Sequence, residues 1–237
     1  MFYSIANFYT MKLGQNAKIG GNMESNNVLK IILDIAKSIR YNGLILNERY
    51  LHHYFSYSLL KNERQCLNLT DSSTMIALHP EWPTYKKQTG LAYGRYKKEN
   101  NIYLPNKVGS AGFIDFAIGD YKRPDIGIEF SLKYGWSREE LVYDFLKLLD
   151  KKNPFKVSIS LNIIFRQKRL VSEGHLSNLE ERMNEAYREA IRRLNGDKCD
   201  DSRELYLIVT EIDRYNNRHW YYDKKSNKFK KGLPFIA

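Results

Sequence analysis

Residues 112–165 constrain the fold more than any other part of the chain, because their apolar pattern changes period in a set order. Phe113 to Ile118 has the β-branched and aromatic composition of a strand, Gly119 to Pro124 carries turn chemistry, and residues 126–134 read as the hairpin partner. A helix is expected from about Arg138 to Leu149, with Ser137 as N-cap and Glu140 at the third position in a capping-box pattern. Pro154 stops it. Val157 to Phe165 is a nearly unbroken apolar run that suits a buried strand. Strand, strand, helix, strand in that order implies an α/β fold, a mixed central sheet flanked by helices.

The flanking regions extend this plan. Residues 1–22 end in Gln15, Asn16, Gly20, Gly21 and Asn22, a composition of loose chain, and Met23 offers an alternative start. Residues 23–237 are read as one α/β domain, since 237 residues supply one sizeable core and not two. From Asn26 to Arg40 the residues Val28, Leu29, Ile32, Ile35, Ala36 and Ile39 recur at helical spacing. A second helix follows Asn42-Gly43, with Asn47 as N-cap and Tyr50, Leu51, Tyr54, Phe55, Ser58 and Leu59 along one side. Residues 66–112 are rich in Pro, Gly, Asn and Lys and show no usable period, so no element is placed there. A further helix is expected over 176–194, closed by Asn195-Gly196, and a strand over 204–212 before a basic, aromatic tail.

Lys and Arg total 38 against 27 Asp and Glu, a formal charge of +11, so the long-range field of the chain attracts polyanions. Nucleic acid is the expected partner, and the 18 Tyr and 3 Trp offer rings that stack on bases. The Arg192-Arg193 pair and the tail from Lys224 to Lys231 read as solvated charge, with phosphate contact by the tail as the alternative. Cys66 and Cys199 lie at no metal-ligand or redox spacing, which points to a reduced compartment. With no apolar run of membrane-spanning length and no secretory-signal pattern, a soluble cytoplasmic protein is expected.

The candidate chemistry lies in the hairpin. Period-two geometry puts Ile126, Ile128, Phe130 and Leu132 on one face and Gly127, Glu129, Ser131 and Lys133 on the other. In the preceding strand Asp115 stands between Ile114 and Phe116 and is expected to project opposite both. If the polar faces meet, two carboxylates converge beside a lysine, an arrangement that a hard, oxygen-ligated cation such as Mg²⁺ relieves.

The run Gly112-Phe-Ile-Asp115, a turn, Ile128-Glu129-Phe130-Ser131-Leu132-Lys133, the helix containing Asp144-Phe-Leu-Lys147, and the strand Val157 to Phe165 resembles the core of the PD-(D/E)XK, or restriction-endonuclease-like, nuclease superfamily. The resemblance covers residues 112–165, about a quarter of the chain. It implies that Asp115 and Glu129 bind Mg²⁺ or Mn²⁺, that the Phe130 carbonyl assists, and that Glu48 is an accessory acidic residue from the preceding helix. It further implies hydrolysis of phosphodiester bonds, in DNA rather than RNA, by a chain that pairs as a homodimer to cut both strands.

The sequence departs from that pattern at one point. The family's lysine lies two residues after the acidic one, and Ser131 stands there. Lys133, roughly 7 Å farther along the same face, or Lys147 from the following helix would have to take its place. A chain lacking that lysine would be a nucleic-acid-binding protein without catalysis, and an interaction protein with an incidentally basic surface is a further reading. The literal Pro124-Asp125 falls in the expected turn, so Asp115 is preferred. His52 and His53 are adjacent and diverge by about 100° on a helix, which makes them poor joint ligands.

Overall fold

The computed structural model describes residues 25–39, 47–62, 77–133, 138–165, 179–195, 202–212 and 217–234. In chain order the elements begin with helices α1 (Ser25–Ser38) and α2 (Glu48–Asn62), followed by strands β1 (Ala77–Pro83), β2 (Tyr85–Lys86), β3 (Leu91–Ala92), β4 (Arg95–Glu99), β5 (Ile102–Pro105) and β6 (Ser110–Ala111). The hairpin β7 (Phe113–Gly119) and β8 (Pro124–Lys133) leads into α3 (Arg138–Leu149) and β9 (Val157–Phe165). Helix α4 (Leu179–Arg193), β10 (Glu204–Ile212), β11 (Asn217–Asp223) and β12 (Lys228–Lys231) complete the fold.

Seven strands form one mixed sheet in the order β1-β7-β8-β9-β10-β11-β12. Strands β8, β9 and β10 run parallel and the outer pairings are antiparallel. The parallel centre follows from the two helical crossovers, since a strand that returns through a helix re-enters in the same direction. Alternation in β8 and β9 is faithful to the sequence pattern. Ile126, Ile128, Phe130 and Leu132 share one apolar layer with Val157, Ile159, Leu161, Ile163 and Phe165, and α1 and α2 cover it with Val28, Leu29, Ile32, Ile35, Leu51, Phe55 and Leu59.

The opposite face is covered as well. Helices α3 and α4 press Leu141, Val142, Phe145, Leu146, Met183, Ala186 and Ala190 against Ile114, Ala117, Leu207 and Val209. Glu129 therefore does not look away from the core, as alternation alone suggested: it is 2% exposed, sealed beneath α3. This α/β sandwich, helices on both faces of a mixed sheet, matches the architecture expected from the sequence.

Several readings change. Residues 66–112 contain β1, an edge strand of the main sheet, and the small strands β2 to β6, whose short alternation is too brief to show a period. The basic tail is the β11–β12 hairpin: Phe229 packs under α4, while its lysines are exposed as the solvated-charge reading expected, and of the Arg192-Arg193 pair only Arg192 is solvated, the Arg193 side chain being buried against Glu139 and Glu189. In α2 the side buried against the sheet is Leu51, Phe55 and Leu59, while Tyr50 and Tyr54 stand 49% and 38% exposed. Pro124 and Asp125 belong to β8, which begins two residues earlier than expected, and Asp125 pairs with Lys156 at the surface. The expected N-cap Ser137, both cysteines, residues 1–22 and the Gly196 stop lie outside the described residues. Among the described residues no helix is long and apolar enough to cross a membrane.

Candidate metal centre

Asp115 sits at a break in the sheet. Ile114 packs in the α3/α4 layer whereas Phe116 packs in the α1/α2 layer, so the two do not share a face as simple alternation required. The neighbouring strand breaks at the same level: Pro80 pairs with Phe116 and Trp82 with Ile114, which leaves Glu81, at φ 51°, opposite Asp115. A non-glycine residue in the left-handed region costs energy and turns its strand over. At that turnover Asp115 Oδ2 accepts a 2.6 Å hydrogen bond from the Phe130 amide of β8. A side-chain carboxylate thus satisfies a backbone donor where β7 and β8 part.

Helix α2 delivers two more ligand-type groups to this point. Asn47 caps the helix through its Oδ1, which accepts from the Tyr50 amide at 2.9 Å, and so sets the start at Glu48. Glu48 and His52, one turn apart, then share a face. One ligand atom from each of Glu48, His52 and Asp115 lies within 4.8 Å of the others. The His52 ring is wedged edge-on against Phe116 (5.1 Å between centroids) and tilted against Phe130 (5.9 Å). Its Nε2 is buried, has no hydrogen-bond partner, and stands 3.5 Å from Asp115 Oδ2. Burial alone would lower the imidazole pKa, but the carboxylates of Asp115, Glu48 and Glu81 together carry it above the ordinary histidine value.

Glu129 occupies the other side of the break. Its Oε1 is 2.5 Å from Lys147 Nζ of α3, and that ammonium also lies 3.2 Å from Asp144 Oδ1 and donates to the Phe113 carbonyl at 2.8 Å. The Tyr143 ring covers it at 4.8 Å, and burial in turn pushes the Tyr143 hydroxyl pKa up to about 12. Desolvation pushes the Glu129 carboxyl above the usual range; Lys147 opposes this, while Asp115 and Asp144 add to it. Lys147 stays charged: burial would lower its pKa, but Glu129 and Asp144 raise it well beyond that of a free lysine.

Of the residues singled out in the sequence, the fold brings Asp115 and Glu48 together and hydrogen-bonds Asp115 to the Phe130 amide, whereas Glu129 faces Lys147 under α3 and Asp115 faces α2, so the two carboxylates do not converge as expected. Among the described residues, Lys147 is the lysine paired with Glu129. Lys133 ends β8 opposite Ile164, and its side chain lies outside the described part. Ser131, two residues after Glu129, is buried opposite Asn162 of β9. His52 escaped the sequence reading because it was weighed only with His53. The signal was the Glu-x-x-x-His spacing with Glu48, which places a carboxylate and an imidazole on one helical face. No protein-family model matches the chain, and no curated protein matches it in sequence.

Proposed function

We propose that this protein is a metal-dependent nuclease that hydrolyses phosphodiester bonds. The observation that carries the reading is that Asp115 is shared by two sets of carboxylates: with Glu48 and Glu81 it acts on His52, and with Asp144 it acts on Glu129 and Lys147. Carboxylates set close together are relieved by a divalent cation, and Glu48, His52 and Asp115 each offer a ligand atom within 4.8 Å of the others. Asp115 and Glu48 would hold the ion, the Phe130 carbonyl assisting as the family resemblance implies, while Glu129 stays paired with Lys147 beneath α3. When bound, such an ion supplies positive charge for the phosphate and acidifies water.

The chain's own groups divide the remaining work. The Phe130 amide fixes the orientation of the Asp115 carboxylate through Oδ2. Lys147, ringed by three oxygens, acts as a fixed positive charge and not as a proton donor. It offsets Glu129 from beneath α3 and, with its donors already taken, acts on a phosphate only through space. The formal charge of +11 draws in the polyanion. DNA is the proposed polymer and a homodimer the proposed active form, both on the family resemblance alone.

The test is incubation of plasmid DNA and of an RNA transcript with the purified protein in Mg²⁺, in Mn²⁺ and in EDTA. Metal-dependent cleavage that disappears in Asp115→Asn and Glu129→Gln, with circular dichroism unchanged, supports the nuclease. A protein that retards DNA in a gel without cutting either polymer in either ion refutes it. That outcome would establish instead a non-cleaving nucleic-acid binder, the reading favoured by Ser131 and by the full set of oxygens around Lys147.

A further inference from the structure

We propose that the outward face of α2 is a stacking platform for single-stranded nucleic acid, with Tyr50, Tyr54 and Tyr57 receiving unpaired bases and Arg49 and Lys61 meeting the phosphates. The proposal deepens the nucleic-acid reading above and rests on it, but it needs neither metal nor cleavage.

Among the described side chains of α2, the exposed ones are Arg49, Tyr50, His53, Tyr54, Tyr57 and Lys61. Half of them are aromatic and none is acidic. Tyr50, Tyr54, Tyr57 and Lys61 follow one another at alternating steps of four and three residues, which lines them up as one stripe on the side away from the buried Leu51, Phe55 and Leu59. The rings are already arranged for stacking. Those of Tyr50 and Tyr54 lie within 9° of parallel with their centroids 6.2 Å apart, and Tyr57, 63% exposed, follows one turn on. Lys61 closes the stripe with its Nζ 5.9 Å from the Tyr57 ring centre. From Tyr50 to Tyr57 the helix climbs roughly 10 Å, room for a short run of bases.

The composition of this face selects its occupant. A solvated helix face mixes acids with bases, and tyrosine is a weaker helix former than alanine, lysine or glutamate, so neither solubility nor helix propensity calls for three exposed rings. A second copy of the chain docked here about a two-fold axis would set Arg49 and Lys61 against their own kind. A bilayer surface calls for aliphatic side chains that enter the hydrocarbon, and the exposed set holds none. Single-stranded nucleic acid meets both halves of the pattern, since every base has a π-face for a ring and every nucleotide a phosphate for a cation. A duplex keeps its bases stacked inside and gives the rings nothing to cover. The stripe also rides on the helix that carries Glu48 and His52, so a strand held there lies on an element of the candidate centre.

The experiment uses the whole chain in EDTA, with a fluorescein-labelled oligothymidylate and a duplex of equal length as probes and anisotropy as the readout. The single strand should bind more tightly than the duplex. Tyr50→Ala, Tyr54→Ala and Tyr57→Ala should each weaken the single strand about fivefold or more and leave the duplex unchanged. Tyr54→Phe, which keeps the ring, should bind as the unaltered chain does. Arg49→Gln and Lys61→Gln should each flatten the log–log salt dependence of single-strand binding by about 0.7, and they carry the test if an alanine variant loses its helical circular dichroism. Alanine variants that hold the single strand at full strength, or that lose strand and duplex equally, overturn the platform and leave the nuclease reading standing. A dimer in sedimentation that the tyrosine variants dissolve overturns it in favour of self-association. Ring-dependent single-strand binding with no cleavage in Mg²⁺ or Mn²⁺ supports the platform and removes the nuclease. Binding of neither polymer sinks both.

Discussion

Replacing Lys147 with methionine isolates the energetics on which the β8 side of the centre depends. The substitution keeps most of the apolar stem and removes the ammonium, charge and donors together, so it leaves Glu129, 2% exposed, without its partner at 2.5 Å. Removing one member of a buried ion pair costs about 3–5 kcal/mol, because the surviving carboxylate must stay charged in a medium that does not solvate it or take up a proton. The lost hydrogen bond to the Phe113 carbonyl, 2.8 Å long, falls within the same figure. For a chain of this size each kcal/mol moves the melting midpoint by about 2–4 °C, so Lys147→Met should melt roughly 6–20 °C lower. The reverse change is milder. Glu129→Gln leaves Lys147 with Asp144 at 3.2 Å and with the Phe113 carbonyl, and the double variant should recover much of the loss by removing the stranded carboxylate. Urea titration of the three variants, followed by far-ultraviolet circular dichroism, measures the cycle. If Lys147→Met costs under about 1 kcal/mol, as an exposed pair would, or if the double variant is worse than the sum of the singles, the pair is not the sealed, mutually dependent one described above.

Two further predictions concern the scaffold. Gly127 lies on the α3 side of β8, and a Cβ there would stand 2.7 Å from the Phe155 ring, itself buried. Gly127→Ala should therefore cost about 1–3 kcal/mol by overpacking in the same urea assay, and an unchanged midpoint would mean that Phe155 is free to move. Glu189 is held down to about 2, chiefly by hydrogen bonding to Arg192 and also by Arg193, against a smaller opposing effect of burial. A carboxyl lowered from 4.5 contributes stability that is complete above that pH and fades as pH falls toward 2. Glu189→Gln should thus be less stable than the unaltered chain at pH 7 and approach it by pH 2.5. Parallel stability curves over that range would contradict the assignment.

Which of these features the linear order could reveal follows from the range of the forces involved. The α/β class, the β7–β8 hairpin, α3 and β9 were legible because each depends on residues within a few positions of one another, and burial stamps its period directly on them. Glu129, Lys147 and Glu48 were legible as candidate chemistry for the same reason, once the resemblance had drawn attention to the segment. Three things were settled only by tertiary contact. Alternation marks which residues differ in facing but not whether the second face is wet, so only the packing of α3 and α4 could show that Glu129 is sealed in. The turnover at Glu81 and Asp115 involves two strands more than thirty positions apart, and no local pattern encodes their shared break. The choice of Lys147 as the partner of Glu129, and of His52 as the neighbour of Asp115, required helices from either side of the sheet to bring their side chains to a single point, which is a property of the folded core and not of any window of sequence.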